Sequence, residues 1–255
     1  MRAAPFVFSM KPILPFLLFA FFLSACNKHF VATQYKFEEK QIAVGSVADE
    51  KMAALIKVYK DTLDIEMGRV LCIADTLLTK GAPESDLGNL MCDLVLKKSK
   101  DYSGGEVDFT FLNTGGIRIP NLPKGNITYG KIIELMPFDN LIDIMVINGR
   151  TLDTLFNFMA SKGGWPISGA TYKIKDGKAM DVRIKGLPLD LSKSYTVAVS
   201  DYLANGGDNC KMLTYIPRTI LKKNIREAII DGMVEMNQRG EHVKSLIEGR
   251  VVKAE

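Results

Sequence analysis

Two stretches with the pattern of β-strands, residues 172–175 and 180–185, flank the dipeptide Asp176-Gly177. This dipeptide is one of the strongest short signals for a tight hairpin turn, because both residues readily adopt a positive φ. A hairpin makes at least one strand pair antiparallel, and the remaining helix and strand patterns alternate irregularly. The sequence therefore predicts an α+β fold, or an α/β fold with a mixed sheet, rather than a doubly wound parallel sheet.

Apolar residues that recur every three or four positions predict five helices. The first follows a capping box at Ser46. Its apolar residues share one face: Met52, Leu55, Ile56, Tyr59 and Leu63. Ser85 is expected to cap the second helix and Thr128 a short third one. A fourth helix starts near Thr151, and a long fifth helix is predicted for residues 219–236.

Four further stretches rich in apolar and β-branched residues are predicted strands. They are residues 107–112, 141–147, 195–200 and 249–253. The predicted folded part of the sequence contains no internal repeat. The 230 residues after position 25 are enough to bury a substantial core, so one domain is predicted.

The N-terminus has the features of a signal peptide. Arg2 and Lys11 are the only charged residues before Cys26, and the apolar run after Lys11 is too short to span a bilayer comfortably. The junction at residues 23–26, Leu-Ser-Ala-Cys, resembles a bacterial lipobox, in which the cysteine becomes the lipidated first residue. An ordinary signal peptide followed by a chance cysteine is the alternative.

These features predict a signal peptide of residues 1–25, a lipidated Cys26 with a polar tether over residues 26–44, and a folded domain over residues 45–255. We therefore expect an exported bacterial lipoprotein, anchored on the periplasmic or cell-surface face of a membrane. Loss of residues 1–25 lowers the number of basic residues from 33 to 31, against 29 acidic residues. Such a near balance does not predict nucleic-acid binding, which requires clustered positive charge.

Histidine is too scarce for most catalytic centres. The chain has only His29, in the tether, and His242, so no zinc cluster, dinuclear metal centre or conventional Ser-His-Asp triad is predicted. Cys92 lies in an apolar helical run and is expected to be buried. A disulfide between Cys72 and either Cys92 or Cys210, and a Cys–His dyad that uses His242, remain as alternatives.

Three loop segments carry side chains suited to ligand binding. Residues 113–118, Asn-Thr-Gly-Gly-Ile-Arg, follow a predicted strand, and their double glycine allows the backbone to approach a ligand closely. Residues 137–140, Pro-Phe-Asp-Asn, place an aromatic ring in a turn. Residues 201–208 contain an aromatic residue and, six positions later, a carboxylate. Each loop alone is explained as a simple turn, so the combination carries the prediction.

Together the three loops supply what a nucleoside needs. Phe138 and Tyr202 can sandwich a base, which contributes on the order of 1–3 kcal/mol per stacked base. The amide of Asn113 can read the edge of the base. Asp208 can accept hydrogen bonds from ribose hydroxyls, and Arg118 can bind oxygen-rich or anionic groups. The two rings are therefore predicted to face each other across a gap, with the two charged groups at its rim.

Four motifs in this order resemble the C-terminal domain of the 5'-nucleotidase family, which includes ecto-5'-nucleotidase and the periplasmic UDP-sugar hydrolases. They are ESDLGNL at 84–90, NTGGIR at 113–118, PFDN at 137–140 and YLANGGD at 202–208. The resemblance covers roughly residues 45–253. It implies the family's C-terminal fold, an α+β arrangement with layers of helices packed outside mixed β-sheets.

The resemblance also implies which residues bind the substrate: Asn113, Gly116, Arg118, Phe138, Tyr202, Gly207 and Asp208. Phe138 and Tyr202 would form the base clamp, and Asn113 would contact the base. Arg118 would hold ribose or phosphate, Asp208 would accept from the ribose hydroxyls, and the two glycines would shape the loops. The resemblance implies no catalytic residue and no metal ligand in this chain.

Two departures from the family pattern stand out. The family often has an arginine a few residues before the segment at 84–90, where this chain has Gly81 beside Lys80. A lysine lacks the two-pronged geometry of a guanidinium. The motifs of the family's N-terminal metallophosphatase domain, which holds two metal ions, are missing as well. The chain is therefore expected to bind no cofactor and to be inactive alone, with a divalent metal pair in a partner.

Three functional hypotheses follow. The first is the nucleotide-binding half of a split 5'-nucleotidase, which acts in nucleotide catabolism with a separate exported metallophosphatase chain that docks at the helix of residues 48–65. The second is a non-catalytic, nucleoside-binding surface lipoprotein. The third is a structural lipoprotein that keeps the fold without the ligand. The polar residues Asn113, Arg118 and Asp208 argue against the third, because clustered polar groups without a ligand are unfavourable.

Overall fold

The computed structural model describes residues 49–254. The predicted signal peptide, the lipidation site Cys26, the tether and the capping residue Ser46 lie outside these residues and stay predictions. Within residues 49–254, no helix is both long and apolar enough to cross a membrane.

Six α-helices and thirteen strands occur within the described residues. The helices are α1 (Glu50–Gly68), α2 (Asp86–Ser103), α3 (Tyr129–Leu135), α4 (Gly149–Ser161), α5 (Asp201–Ala204) and α6 (Ile225–Gln238). The first seven strands are β1 (Val70–Ala74), β2 (Leu78–Thr79), β3 (Phe109–Phe111), β4 (Asn121–Leu122), β5 (Gly125–Thr128), β6 (Leu141–Asn148) and β7 (Ile167–Ser168). The others are β8 (Ala170–Lys175), β9 (Lys178–Ile184), β10 (Leu187–Pro188), β11 (Ser194–Ser200), β12 (Arg218–Asn224) and β13 (Val251–Lys253).

The largest sheet is mixed. Its five strands follow the order β12-β6-β11-β3-β7, in which only β11 and β3 are parallel. A second sheet has the order β10-β9-β8-β13, with β13 parallel to β8. Two antiparallel pairs, β1-β5 and β2-β4, complete the set. The predicted α+β fold with mixed sheets is therefore confirmed.

Both faces of the five-stranded sheet are covered, and the alternation of side chains along its central strands explains how. Successive residues of a strand point to opposite faces. Ile142 and Ala198 join a core formed with α2 and α6, whereas Met145 and Val197 join a second core with α4 and the four-stranded sheet. The sheet thus separates two apolar cores, with helices outside it on both sides.

The predicted hairpin and the predicted caps at Ser85 and Thr128 form, and Asn148 provides a further cap that was not predicted. The turn between β8 and β9 has φ values of 50° at Asp176 and 73° at Gly177, and Lys175 pairs with Lys178. The Ser85 hydroxyl accepts a hydrogen bond from the Gly88 amide at 3.1 Å. The Thr128 hydroxyl and the Asn148 amide oxygen cap α3 and α4 in the same way.

The long helix predicted over residues 219–236 is wrong in its first part. Residues 218–224 form β12 at the edge of the large sheet, where they pair with β6. Asn224 then starts α6, because its side chain accepts from the Glu227 amide at 2.7 Å and its own amide donates to the Glu227 carboxylate at 3.3 Å. The free edge of β6 overrides a local helical pattern, since strand pairing depends on residues far away in sequence.

Helix α1 forms as predicted, but the described domain does not bury its apolar face. Every residue of that face is more than half exposed: Met52, Leu55, Ile56, Tyr59 and Leu63. The C-terminal end of α1 packs closely against α3, because a Cβ atom at Gly130 of α3 would lie 3.0 Å from the Met67 carbonyl oxygen. An exposed apolar stripe of this kind is typical of a surface that another protein covers.

A buried arginine attaches the C-terminal segment to the rest of the domain. The Arg250 guanidinium donates to both carboxylate oxygens of Asp93 in α2, at 2.7 and 2.8 Å, and to the Ile167 carbonyl at 3.0 Å. Its side chain is only 10% exposed, whereas that of Asp93 is 41% exposed.

Replacement of Arg250 with alanine is expected to lower the free energy of unfolding by about 2–3 kcal/mol. Removal of one partner of a buried ion pair is strongly destabilising, and the partial exposure of Asp93 moderates the loss. Denaturant unfolding of Arg250→Ala measures this change. The matched control is Arg239→Ala, because Arg239 pairs with Glu241 at the surface, where the expected change is below about 0.5 kcal/mol. Equal effects of the two substitutions would contradict the assignment.

Candidate functional site

A cavity of about 290 Å³ lies at one edge of the five-stranded sheet. It contains six of the seven residues predicted to bind substrate: Asn113, Gly116, Arg118, Phe138, Tyr202 and Asp208. The seventh, Gly207, lines an adjoining open depression together with Asn140, Asp201, Tyr202, Asn205 and Gly206. The three loops that are distant in sequence therefore meet at one place.

Strand directions explain why they meet. Strands β3 and β11 are parallel neighbours, so the loops that follow them leave the same edge of the sheet and carry Asn113 and Tyr202 there. Strand β6 is antiparallel to β11, with Ile142 opposite Ser200, so the turn that precedes β6 lies at this edge too. That turn carries Phe138.

The two aromatic rings form exposed walls of the cavity. Phe138 is 40% exposed and Tyr202 is 43% exposed, so neither ring is packed into a core. The guanidinium carbon of Arg118 lies 5.7 Å from the centroid of the Phe138 ring, within the range of a cation–π contact. The Arg118 guanidinium also donates to the Gly115 carbonyl at 3.4 Å. Arg118 thus places a positive charge beside the Phe138 ring at the cavity.

Asp208 is the polar centre of the cavity. Its carboxylate accepts hydrogen bonds from the Asn113 amide at 2.7 Å and from the Tyr202 hydroxyl at 2.7 Å. Its backbone amide donates to the same hydroxyl at 3.2 Å. The hydrogen bond to Asp208 raises the pKa of Tyr202. A carboxylate has about four lone-pair sites, so Asp208 keeps room to accept from ligand hydroxyls.

Local backbone geometry places this carboxylate. Asp208 has a φ of 49°, in the left-handed region that aspartate tolerates better than most residues. Gly207 is required beside it, because a Cβ atom at this position would lie 2.5 Å from Cζ of the Tyr202 ring. At Gly116, a Cβ atom would lie 3.0 Å from the Asn113 side-chain oxygen. Both glycines therefore leave room for neighbouring residues that line the cavity.

Lys80, which stands near the position of a family arginine, does not line the cavity. Its ammonium group donates to the Ile117 carbonyl at 2.8 Å. This contact fixes the backbone of the loop that carries Arg118. Lys80 therefore has a structural contact, and Arg118 is the guanidinium that faces the cavity.

The motif at residues 84–90 also holds structure together. The Asn89 amide donates to the Glu84 carboxylate at 2.6 Å and to the Leu246 carbonyl at 2.9 Å. The Asp86 carboxylate accepts from the Thr79 amide and from the Ser245 hydroxyl, both at 2.6 Å. These bonds attach the start of α2 to the C-terminal segment.

Sequence reasoning missed several lining residues. Leu112, Met136 and Ile225 provide apolar surface, and Ser200 provides a polar group. Asn140, which also lines the cavity, belongs to the recognised segment 137–140. Leu112 and Met136 directly precede recognised motifs, which is a weak positional signal. Ile225 was hidden because the predicted long helix obscured the junction of β12 with α6. Ser200 caps α5, since its hydroxyl accepts from the Leu203 amide at 3.2 Å.

The remaining histidine and cysteines lie elsewhere. His242 Nδ1 is 2.7 Å from the Asp75 carboxylate. Cys72, Cys92 and Cys210 are buried and free, so the alternative of a disulfide among them is not realised. Burial raises the pKa of these thiols, to about 12 for Cys210, which disfavours a reactive thiolate at neutral pH. In the described part of the chain, no three His, Cys, Asp or Glu side chains form a group that could hold a metal ion.

Two aromatic rings, a carboxylate acceptor, a carboxamide and a guanidinium line one cavity, an arrangement suited to a small, partly flat ligand. The comparisons with known proteins agree with this class of ligand. The sequence profile of the family "5'-nucleotidase, C-terminal domain" matches residues 69–215, more than half of the chain. The chain belongs to this family, and membership implies a nucleotide-related role.

Individual relatives support the assignment. Protein UshA of Escherichia coli is 30% identical over 129 residues, which cover 49% of this chain and 23% of that protein. The mouse 5'-nucleotidase is 27% identical over 212 residues, which cover 73% of this chain and 36% of that protein. The crystal structure of a 5'-nucleotidase precursor from Thermus thermophilus superposes with a TM-score of 0.68 at 29% identity, over 80% of this chain and 43% of that one. The chain thus spans less than half the length of each relative.

Proposed function

We propose that this chain is the nucleoside- and nucleotide-binding half of a split 5'-nucleotidase. The observation that carries the proposal is the convergence of Phe138, Tyr202, Asp208, Asn113 and Arg118 on one cavity. Its volume of about 290 Å³ lies at the lower end of the range for small-molecule sites, which suits a nucleoside.

In the proposed complex, the base stacks between Phe138 and Tyr202. The ribose hydroxyls donate to Asp208, whose carboxylate is already oriented by Asn113 and Tyr202. Arg118 lies at the rim, where it binds ribose or a phosphate oxygen. Asn113 contacts the base edge with the carboxamide oxygen and the second N–H that remain after one N–H donates to Asp208.

Hydrolysis requires a second protein in this proposal. A separate exported metallophosphatase chain supplies the divalent metal pair and docks on this domain. The exposed apolar face of α1 supports such docking, since it includes three large apolar side chains, those of Leu55, Ile56 and Tyr59, each more than half exposed.

Phosphate release from AMP tests the split enzyme. Each candidate exported metallophosphatase is assayed alone, with this protein, and with its Phe138→Ala variant. The proposal expects release to rise at least about tenfold when wild-type protein is added and to fall again with the variant, because the lost stacking weakens AMP binding. A rise that the variant reproduces fully, or no rise with any metallophosphatase, would contradict the proposal.

A second candidate function is a nucleoside-binding surface lipoprotein without hydrolysis. It is favoured by the meeting of two aromatic rings, a carboxylate, a carboxamide and a guanidinium from this domain at one cavity. Calorimetry with adenosine, AMP and UDP-glucose distinguishes the two functions when combined with the phosphate assay. Binding without partner-dependent hydrolysis supports this second function, and no binding of any of the three ligands removes both.

The lipid anchor is a separate part of the proposal. Cys26→Ser is expected to abolish incorporation of radiolabelled palmitate and to release the protein from the membrane fraction, because two or more acyl chains are needed for firm anchoring. Substitution of Cys92, which is buried within α2, serves as the control for labelling. Unchanged labelling of Cys26→Ser would contradict the anchor.

Replacement of Tyr202 with phenylalanine tests the role of its hydroxyl. The ring is kept, so most stacking is kept, but Asp208 loses one of its two side-chain donors. We expect adenosine binding to weaken by about threefold to tenfold, in line with one net hydrogen bond. Binding of 2',3'-dideoxyadenosine should change less, because this ligand has no ribose hydroxyls for Asp208. Equal losses for both ligands would show that the hydroxyl does not act through Asp208.

A further inference from the structure

Residues 218–226, which comprise β12 and the start of α6, contact the segments that carry Phe138 and Tyr202. They lie outside all four sequence motifs. Ile225, the first residue of α6, lines the cavity, and its amide donates to the Asn140 carbonyl at 2.9 Å. Two arginines of this stretch, Arg218 and Arg226, each donate hydrogen bonds to one of the two segments that carry an aromatic ring.

Arg226 holds the loop that carries Phe138. Its guanidinium donates to the carbonyls of Met136 at 3.3 Å and Phe138 at 3.1 Å, and it forms an ion pair with Asp139. Its side chain is only 16% exposed. Residues 136–140 form neither helix nor strand, so bonds from outside the loop determine where this backbone lies.

Arg218 holds the C-terminal end of α5, the short helix that carries Tyr202. Its guanidinium donates to the Asn205 side-chain oxygen at 2.8 Å. The same group lies 3.2 Å from the carboxylate of Asp143 in β6. The Asp143 side chain is 1% exposed, and its oxygens have no hydrogen bond from the described residues, so Arg218 provides its nearby positive charge. This arginine therefore links the loop after α5 to the centre of the sheet.

We infer that Arg226 and Arg218 are positioning residues that fix the separation of the Phe138 and Tyr202 rings. A flat base that stacks on both sides needs a gap of about 7–8 Å, which is twice the optimal carbon–carbon separation. One short segment of chain holds both loops, so it sets this gap before a ligand arrives. The inference rests on the proposed nucleoside-binding function and adds two residues to it. Neither arginine lines the cavity.

A double-mutant cycle tests whether Arg226 acts through Phe138. We expect Arg226→Ala to weaken adenosine binding about 5-fold to 20-fold in the wild-type background. In a Phe138→Ala background, the same substitution should weaken binding less than about twofold, because the ring it positions is gone. Arg218→Ala is paired with Tyr202→Ala in the same way. Arg239→Ala, which removes an exposed arginine paired with Glu241, is the control and should change neither value.

Amide hydrogen exchange without ligand provides a readout that does not depend on binding. Arg226→Ala should speed exchange of the Ile225 amide, which donates to the Asn140 carbonyl of the Phe138 loop, at least about tenfold and leave residues 205–208 unchanged, and Arg218→Ala should do the reverse. Unchanged exchange at both places, or equal losses of affinity in both backgrounds of the cycle, overturns the inference. If wild-type protein binds no adenosine, the proposed function fails, and the exchange data alone decide whether these arginines hold the loops.

Discussion

Replacement of Gly207 with alanine is expected to weaken adenosine binding on the order of 100-fold. The added Cβ atom would lie 2.5–2.6 Å from three carbons of the Tyr202 ring, so the ring must move. That movement removes one stacking wall and breaks the hydrogen bond between Tyr202 and Asp208. The loss combines about 1–3 kcal/mol of stacking with about 1 kcal/mol for the hydrogen bond, the value that Tyr202→Phe is expected to show.

Calorimetry of Gly207→Ala measures this loss, and Gly105→Ala is the matched control. A Cβ atom at Gly105 would meet only the Ser103 hydroxyl, at 4.0 Å, so its binding should equal that of wild type. The thermal midpoint of each variant separates lost binding from lost folding. Adenosine affinity within threefold of wild type for Gly207→Ala would show that the Tyr202 ring, as placed here, is not a wall of the binding site.

Replacement of Phe138 with alanine is expected to weaken adenosine binding between about 5-fold and 150-fold. This range corresponds to the 1–3 kcal/mol that stacking on one aromatic side chain contributes. The ring also carries the cation–π contact with Arg118, which the substitution removes. The free energy of unfolding should change little, because the ring is 40% exposed and lies outside both cores.

Two controls make this prediction specific. Phe138→Leu keeps apolar volume but loses the flat π surface, so it should behave more like the alanine variant than like wild type. Tyr215→Ala removes an aromatic side chain that is 97% exposed and does not line the cavity, so it should not change affinity. If Phe138→Leu binds adenosine as wild type does, the contact is apolar burial rather than stacking.

The parts of the fold that local chemistry determines could be predicted from the sequence. The Asp176-Gly177 hairpin and the caps at Ser85 and Thr128 each depend on residues within four positions of one another, and each forms. The boundary between β12 and α6 could not be predicted, because the pairing of β12 depends on β6, about 75 positions earlier. Nor does the apolar stripe of α1 reveal from sequence alone that this domain leaves it exposed.

The same distinction between local and long-range determinants applies to the site. The residues of its motifs were predicted, since an aromatic ring, a carboxylate and a double glycine in loops after strands are visible in the sequence. The bonds between them were not, because Asn113 and Asp208 are 95 positions apart and meet only through the parallel pairing of β3 with β11. The roles of Lys80 and of the segment at 84–90 likewise depend on contacts with carbonyls far along the chain.

A crystal structure of this protein with adenosine tests the central claim most directly. We expect the adenine ring to lie between the side chains of Phe138 and Tyr202, with a ribose hydroxyl within about 3 Å of the Asp208 carboxylate. Adenosine bound at another surface, or bound in this cavity without touching either ring, would contradict the account.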